Sequence, residues 1–62
     1  SEFITIETAL DINVVEIIDQ NGMAVLRVND KEIDVSNLIP GVYFVRCTTL
    51  QKQMYYNKFV KI

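Results

Sequence analysis

The run Pro40-Gly41-Val42-Tyr43-Phe44-Val45-Arg46-Cys47-Thr48 decides the fold of this 62-residue chain. Successive side chains of an extended chain point to opposite faces. Tyr43, Val45 and Cys47 therefore share one face, and Val42, Phe44 and Arg46 share the other. Arg46 marks its face as the wetter one, so Tyr43, Val45 and Cys47 are assigned to the core. Pro40 sets φ at about −65° and Gly41 accepts positive φ, so residues 39–42 read as a type II turn. A tyrosine entering a sandwich strand just after a turn can direct its hydroxyl back to the preceding connection. Leu38 and Tyr43, flanking Pro40-Gly41, suit that corner.

Working back toward the N-terminus, residues 32–35 form a short strand with Ile33 and Val35 inward, after a polar break at Asn29-Asp30-Lys31. Before that break lies a hairpin. Residues 14–19 place Val15 and Ile17 on one face, Asn21-Gly22 supplies a type I′ turn with both residues at positive φ, and residues 24–28 return antiparallel. A first strand spans residues 3–8, with Ile4 and Ile6 on one side and Thr5 and Glu7 on the other. On the C-terminal side, residues 50–53 turn and residues 54–62 form a last strand. Its two faces are ambiguous: Tyr56, Val60 and Ile62 share a parity with Lys58, whereas Tyr55 and Phe59 share one with Lys61. Val60 and Ile62 are assigned inward, and a bulge between Tyr56 and Phe59 would bury apolar residues of both halves.

Composition agrees with strands. Val and Ile number eight each against two Ala, and Cβ branching suits a pleated surface better than a helix. The segment from Ala9 to Asn13 is too short for a helix. Short strands separated by turn signals every eight to twelve residues predict an all-β antiparallel β-sandwich of about six to seven short strands in two sheets. A domain of this size buries only about 60% of its unfolded surface, so the fold is expected to be marginal alone, or supported by a partner or a second copy.

The same inventory excludes whole classes of function. His is absent, which removes His-dependent triads and His-based metal sites, and no nucleophile–base pair can be assembled. The net charge of −2 argues against nucleic acid, whose binding needs a concentrated positive surface. Asp19, Glu32 and Asp34 read as solvated strand-end carboxylates rather than an acid–base pair. Asp11, Asp19, Asp30 and Asp34 are too scattered for a Ca²⁺ loop, and Gly22 and Gly41 are isolated turn residues rather than a phosphate loop. No metal or other cofactor is expected. Cys47 has no partner for an internal disulfide and reads as a small buried hydrophobe. Tyr43, Phe44, Tyr55, Tyr56 and Phe59 read as core and cross-strand packing in preference to a carbohydrate platform. No apolar run approaches the ~18 residues that span a bilayer, and no basic stretch followed by an apolar block begins the chain. Ser1-Glu2-Phe3 is compatible with a cloning-site scar and is given no weight in reading function from the sequence.

These residues resemble a known family. Val15-Glu16-Ile17-Ile18-Asp19 followed by Asn21-Gly22 and Val25 is similar to its apolar strand, Asp, Gly turn and return strand. Ile33-Asp34-Val35-Ser36-Asn37-Leu38 followed by Pro40-Gly41-Val42-Tyr43-Phe44-Val45-Arg46 resembles its central signature, and Lys58-Phe59-Val60-Lys61-Ile62 its basic-apolar tail. The family is the type A C-terminal sorting domain of the type IX (Por) secretion system, found at the end of surface and secreted proteins of Bacteroidetes. The likeness covers roughly residues 4–62.

The resemblance implies a secretion signal rather than an enzyme. Members are small Ig-like sandwiches that carry an upstream cargo domain from the periplasm to the outer-membrane translocon, and so to the cell surface or medium. A sortase-like cysteine peptidase then removes them. By motif position, Asp19, Gly22, Pro40, Gly41 and Tyr43 would set the fold, and Lys58, Phe59, Val60, Lys61 and Ile62 would present the translocation signal. The family's Pro-Asn-Pro motif has no match, which implies a start inside the domain and a sandwich one strand short. An open sheet edge invites pairing, so a homodimer through strand addition or exchange is expected. The competing reading is a generic Ig-like or fibronectin-like accessory module that binds carbohydrate or protein.

Overall fold

The computed structural model describes residues 2–62. Six strands follow in order: β1 (Phe3–Thr5), β2 (Ile12–Ile18), β3 (Ala24–Val28), β4 (Glu32–Asp34), β5 (Gly41–Thr49) and β6 (Met54–Lys61). They form two antiparallel sheets, β1-β4 and β3-β2-β5-β6, and no helix occurs among the described residues. The chain is an all-β sandwich of the Ig-like kind. Its core joins Val15 and Ile17 of β2, Ile33 of β4, Val35 just beyond β4, and Tyr43, Val45 and Cys47 of β5. Ile4, Ile6, Ile12, Leu26, Val28, Leu38 and Phe59 pack around it. The assignment of Tyr43, Val45 and Cys47 to the inner face holds, and Cys47 is a buried free thiol.

Aspartates punctuate the connections. Oδ1 of Asp19, Asp30 and Asp34 accepts the N–H two residues on, from Asn21, Glu32 and Ser36 respectively. Such bonds offer the backbone a local partner that competes with continued pairing. Two of these links, around Asp30 and Asp34, lie where the chain crosses between sheets.

The hairpin between β2 and β3 is wider than the type I′ turn expected of Asn21-Gly22. Gly22 adopts φ +83° but Asn21 does not reach positive φ. Gly22 N donates to Asp19 O at 3.0 Å and Asp19 N to Met23 O at 2.9 Å. Asp19 Oδ1 also accepts from Met23 N at 3.0 Å, and that carboxylate favours the wider loop. Val25 is then an extra residue, since Ile17 pairs with Leu26 while Ile18 pairs with Ala24.

The Pro40-Gly41 connection also departs from expectation. Gly41 has φ 158°, far from the roughly +80° of a type II turn, and it already pairs with Lys61 as the first residue of β5. The Ile39 carbonyl accepts instead from the Tyr43 hydroxyl at 2.5 Å, the corner expected from the position of that tyrosine. The tight turn lies earlier, where Leu38 N donates to Val35 O at 3.1 Å. Strand β1 is shorter than the expected 3–8: Ile6 N still donates to Lys31 O, but Thr8 Oγ1 then accepts from Leu10 N and draws the chain out of the ladder.

The largest correction concerns β6. Its pairing with β5 is regular from Gly41 with Lys61 to Thr48 with Met54, so the bulge between Tyr56 and Phe59 is absent. Residues directly opposite in an antiparallel pair share a face. With Tyr43 in the core, its partner Phe59 must face inward, and so must Lys61. Val60 and Ile62, assigned inward from sequence, are 57% and 99% exposed.

Candidate functional site

Among the described residues β6 pairs only with β5, so its other edge is free. The strand holds to the body by this one ladder and by the two of its inward side chains that are covered, Phe59 and Lys61. Phe59 stacks on Tyr43 with ring centroids 5.4 Å apart. Lys61, only 8% exposed, donates from Nζ to the carbonyls of Val35 at 3.1 Å and Leu38 at 2.9 Å. Glu2 Oε1 lies 3.4 Å from the same nitrogen. A buried ammonium is costly unless its donors are met, and two carbonyls with a nearby carboxylate meet them. Lys61 thereby ties the end of the four-stranded sheet to the turn that follows β4.

The five tail residues singled out from sequence thus divide by parity. Phe59 and Lys61 face inward, and Lys58, Val60 and Ile62 stand in solvent. On the outer face Val60 lies opposite Val42, Lys58 opposite Phe44 and Tyr56 opposite Arg46. Arg46 in turn lies opposite Glu16 of β2 and donates to its Oε1 from Nε at 2.9 Å and Nη2 at 2.5 Å. These bonds, followed by the Tyr56 hydroxyl, hold the guanidinium pKa above its ordinary value. Arg46 is therefore occupied within the sheet, while Lys58 carries a solvent-facing charge among exposed apolar neighbours.

Of the residues matched to the family's fold pattern, Asp19 and Gly22 shape the β2–β3 loop, and Pro40, Gly41 and Tyr43 lie at the start of β5. Near the opposite pole an open groove of about 280 Å³, lined in part by Ile6, Leu10, Val45, Cys47, Tyr55 and Asn57, runs between the β1–β2 link and the inner face of β5 and β6. The aromatics do not form one platform: Tyr43 and Phe59 are stacked together within, whereas Phe44 and Tyr56 lie on the outer face. No cluster of metal-ligating side chains occurs among the described residues.

Sequence reasoning missed Lys61 as an internal anchor, although a readable signal existed. Once Tyr43 is placed inside, a continuous ladder with β6 forces the Phe59 and Lys61 parity inward. It also missed the turn at residues 36–39, where side chains from both sheets converge. Ser36 N and Oγ bond Asp34 Oδ1, which lowers the Asp34 pKa below its ordinary value, chiefly through the Ser36 hydroxyl. No curated protein and no solved structure shows a significant match to the chain. The family model described as "Secretion system C-terminal sorting domain" matches residues 1–62. With the match spanning the whole sequence and the sandwich ending in its basic-apolar strand, the chain belongs to the type IX secretion C-terminal sorting domains.

Proposed function

We propose that this domain delivers its upstream cargo by offering the free edge and outer face of β6 to the outer-membrane translocon. The family membership gives the coarse function, a C-terminal sorting signal. The arrangement of β6 supports the finer reading: Phe59 and Lys61 fix the strand from within, leaving Lys58, Val60 and Ile62 exposed beside an unpaired edge. An extended receptor segment adding to that edge would gain backbone hydrogen bonds, a cationic contact and apolar contacts together. Residues 1–62 act as one unit in transit through the periplasm to the outer-membrane surface or the medium, and a sortase-like cysteine peptidase removes them afterwards. The same edge would accept a second copy, giving a homodimer; light scattering that shows a strict monomer at millimolar concentration would count against that part.

The test must separate export from folding, and the two lysines differ in this respect. Lys58→Ser changes an exposed group, whereas Lys61→Ser strips a buried anchor. Fused behind a fluorescent reporter in a bacterium that carries the secretion system, the Lys58→Ser, Val60→Ser variant should fold normally and lose surface delivery. Delivery at the unmodified level, with an unchanged circular dichroism spectrum, would reject recognition through this face.

A further inference from the structure

The short turn after β4 holds both ends of the described chain at once. On one side, Val35 N donates to Glu2 O at 2.9 Å and Glu2 N donates to Ser36 Oγ at 2.7 Å. The Ser36 hydroxyl donates onward to Asp34. On the other side, the Val35 and Leu38 carbonyls accept from Lys61 Nζ. Val35 thus offers its N–H to the residue that leads into β1 and its carbonyl to the residue that closes β6. The Val35 carbonyl also accepts the Leu38 N–H that forms the turn. Beside it, the Ile39 carbonyl holds the Tyr43 hydroxyl. The turn's own contacts to Glu2 use the backbone of residue 2 and the Ser36 hydroxyl, so unlike the ion pair with Lys61 they do not depend on the side chain at position 2.

We infer that this turn couples the attachment of β1 to the attachment of β6, so that loosening either strand loosens the other. Lys61 can satisfy its ammonium only while Val35 and Leu38 hold their carbonyls in place. The turn holds that shape with help from Ser36, Asp34 and the backbone of residue 2. Freeing β1 therefore removes part of what fixes Lys61, and β6 has few other inward anchors. Linkage is reciprocal: freeing Lys61 must weaken β1 by the same factor. Read with the sorting function, which the coupling does not require, strain at the cargo junction would alter the presentation of the terminal strand.

Amide hydrogen exchange on the full 62-residue chain tests the idea without any secretion assay. In Ser36→Ala the amides of β6 should exchange about five- to tenfold faster relative to those of β3, the scale of one lost hydrogen bond. Ser36→Thr, which keeps the hydroxyl, should restore them. Lys61→Met should accelerate the β1 and β4 amides in the same way. Asp19→Ala, which removes two bonds within the β2–β3 loop and none to the turn or to Lys61, should speed β3 and spare β6. Equal acceleration of β6 and β3 in Ser36→Ala would mean uniform destabilisation and overturn the coupling. So would Lys61→Met speeding β6 while β1 keeps its original rates. Should Ser36→Ala fail to fold, Asp34→Asn weakens the same grip, and unchanged relative β6 exchange there would overturn the inference equally.

Discussion

Phe59 and Tyr43 face one another across the β5–β6 ladder as a register pair, with rings stacked at 5.4 Å and an interplanar angle of 22°. The contact joins the aromatic anchor of the last strand to the tyrosine whose hydroxyl secures the preceding connection. Both tasks meet in one residue, Tyr43.

Truncation separates those tasks. Tyr43→Phe keeps the stack and loses the bond to Ile39 O, so it should cost about 1 kcal/mol. Phe59→Ala removes the anchor and should cost about 2–3 kcal/mol, below the range for a fully buried ring because Phe59 is only partly buried. Urea denaturation of the two variants measures both, with the larger loss expected for Phe59→Ala.

The two tail lysines should behave in opposite ways. Lys61→Met removes the ammonium from the Val35 and Leu38 carbonyls, leaving Val35 O only the Leu38 N–H, and should cost about 2 kcal/mol. Lys58→Met alters an exposed side chain and should stay within about 0.5 kcal/mol of the unmodified protein. Thermal melts monitored by circular dichroism give the comparison, and equal losses would contradict the buried role of Lys61.

Two loops share one geometry with different residues at the left-handed position. Lys52 N donates to Thr49 O and Thr49 N to Gln53 O, as Gly22 and Asp19 do in the other hairpin. Lys52 sits at φ 68° and Gly22 at φ 83°. A side chain in this region costs on the order of 1 kcal/mol. Lys52→Gly should accordingly stabilise the domain by up to about 1 kcal/mol. Gly22→Ala should destabilise it by a similar amount through backbone conformation alone, because a Cβ there meets nothing within 4 Å. Differential scanning calorimetry should show shifts of opposite sign.

Acid should loosen the β4 end. The Asp34 pKa is lowered, first by the Ser36 hydroxyl and next by the Ser36 amide. A carboxylate held below its unfolded value contributes stability that is fully present above that value and is lost as pH falls through the folded one. The unmodified chain should therefore lose this contribution from about pH 4 downward. Asp34→Asn should be less stable at pH 7 and show a flatter acid limb. Denaturation midpoints between pH 2 and 7 provide the check; parallel curves would assign the acid loss to other carboxylates.

Alternation made much of this fold legible. Val15, Ile17, Ile33, Val35, Tyr43, Val45 and Cys47, all placed inward by parity, are the buried hydrophobic core. The Tyr43 corner followed from its position beside a turn. Legibility ended where a charge outweighed the pattern. Lys61 made its face look wet, and only the register with Tyr43 and two carbonyls across the sandwich reverse that reading. Loop geometry was similarly hidden, because Asn21-Gly22 suits two hairpin types and the Asp19 carboxylate selects between them. The division of the tail into inner and outer residues had the same cause, since it depends on which parity of β6 meets Tyr43.

The 3.4 Å approach of Glu2 to Lys61 has a mechanical corollary. A load hung on the beginning of the chain and a grip on its end act at the same pole of the molecule. Tension between them meets each terminal strand at its last rung. It would peel β1 and β6 away one hydrogen bond at a time, a zipper-like opening that needs far less force than shearing two strands along their full length.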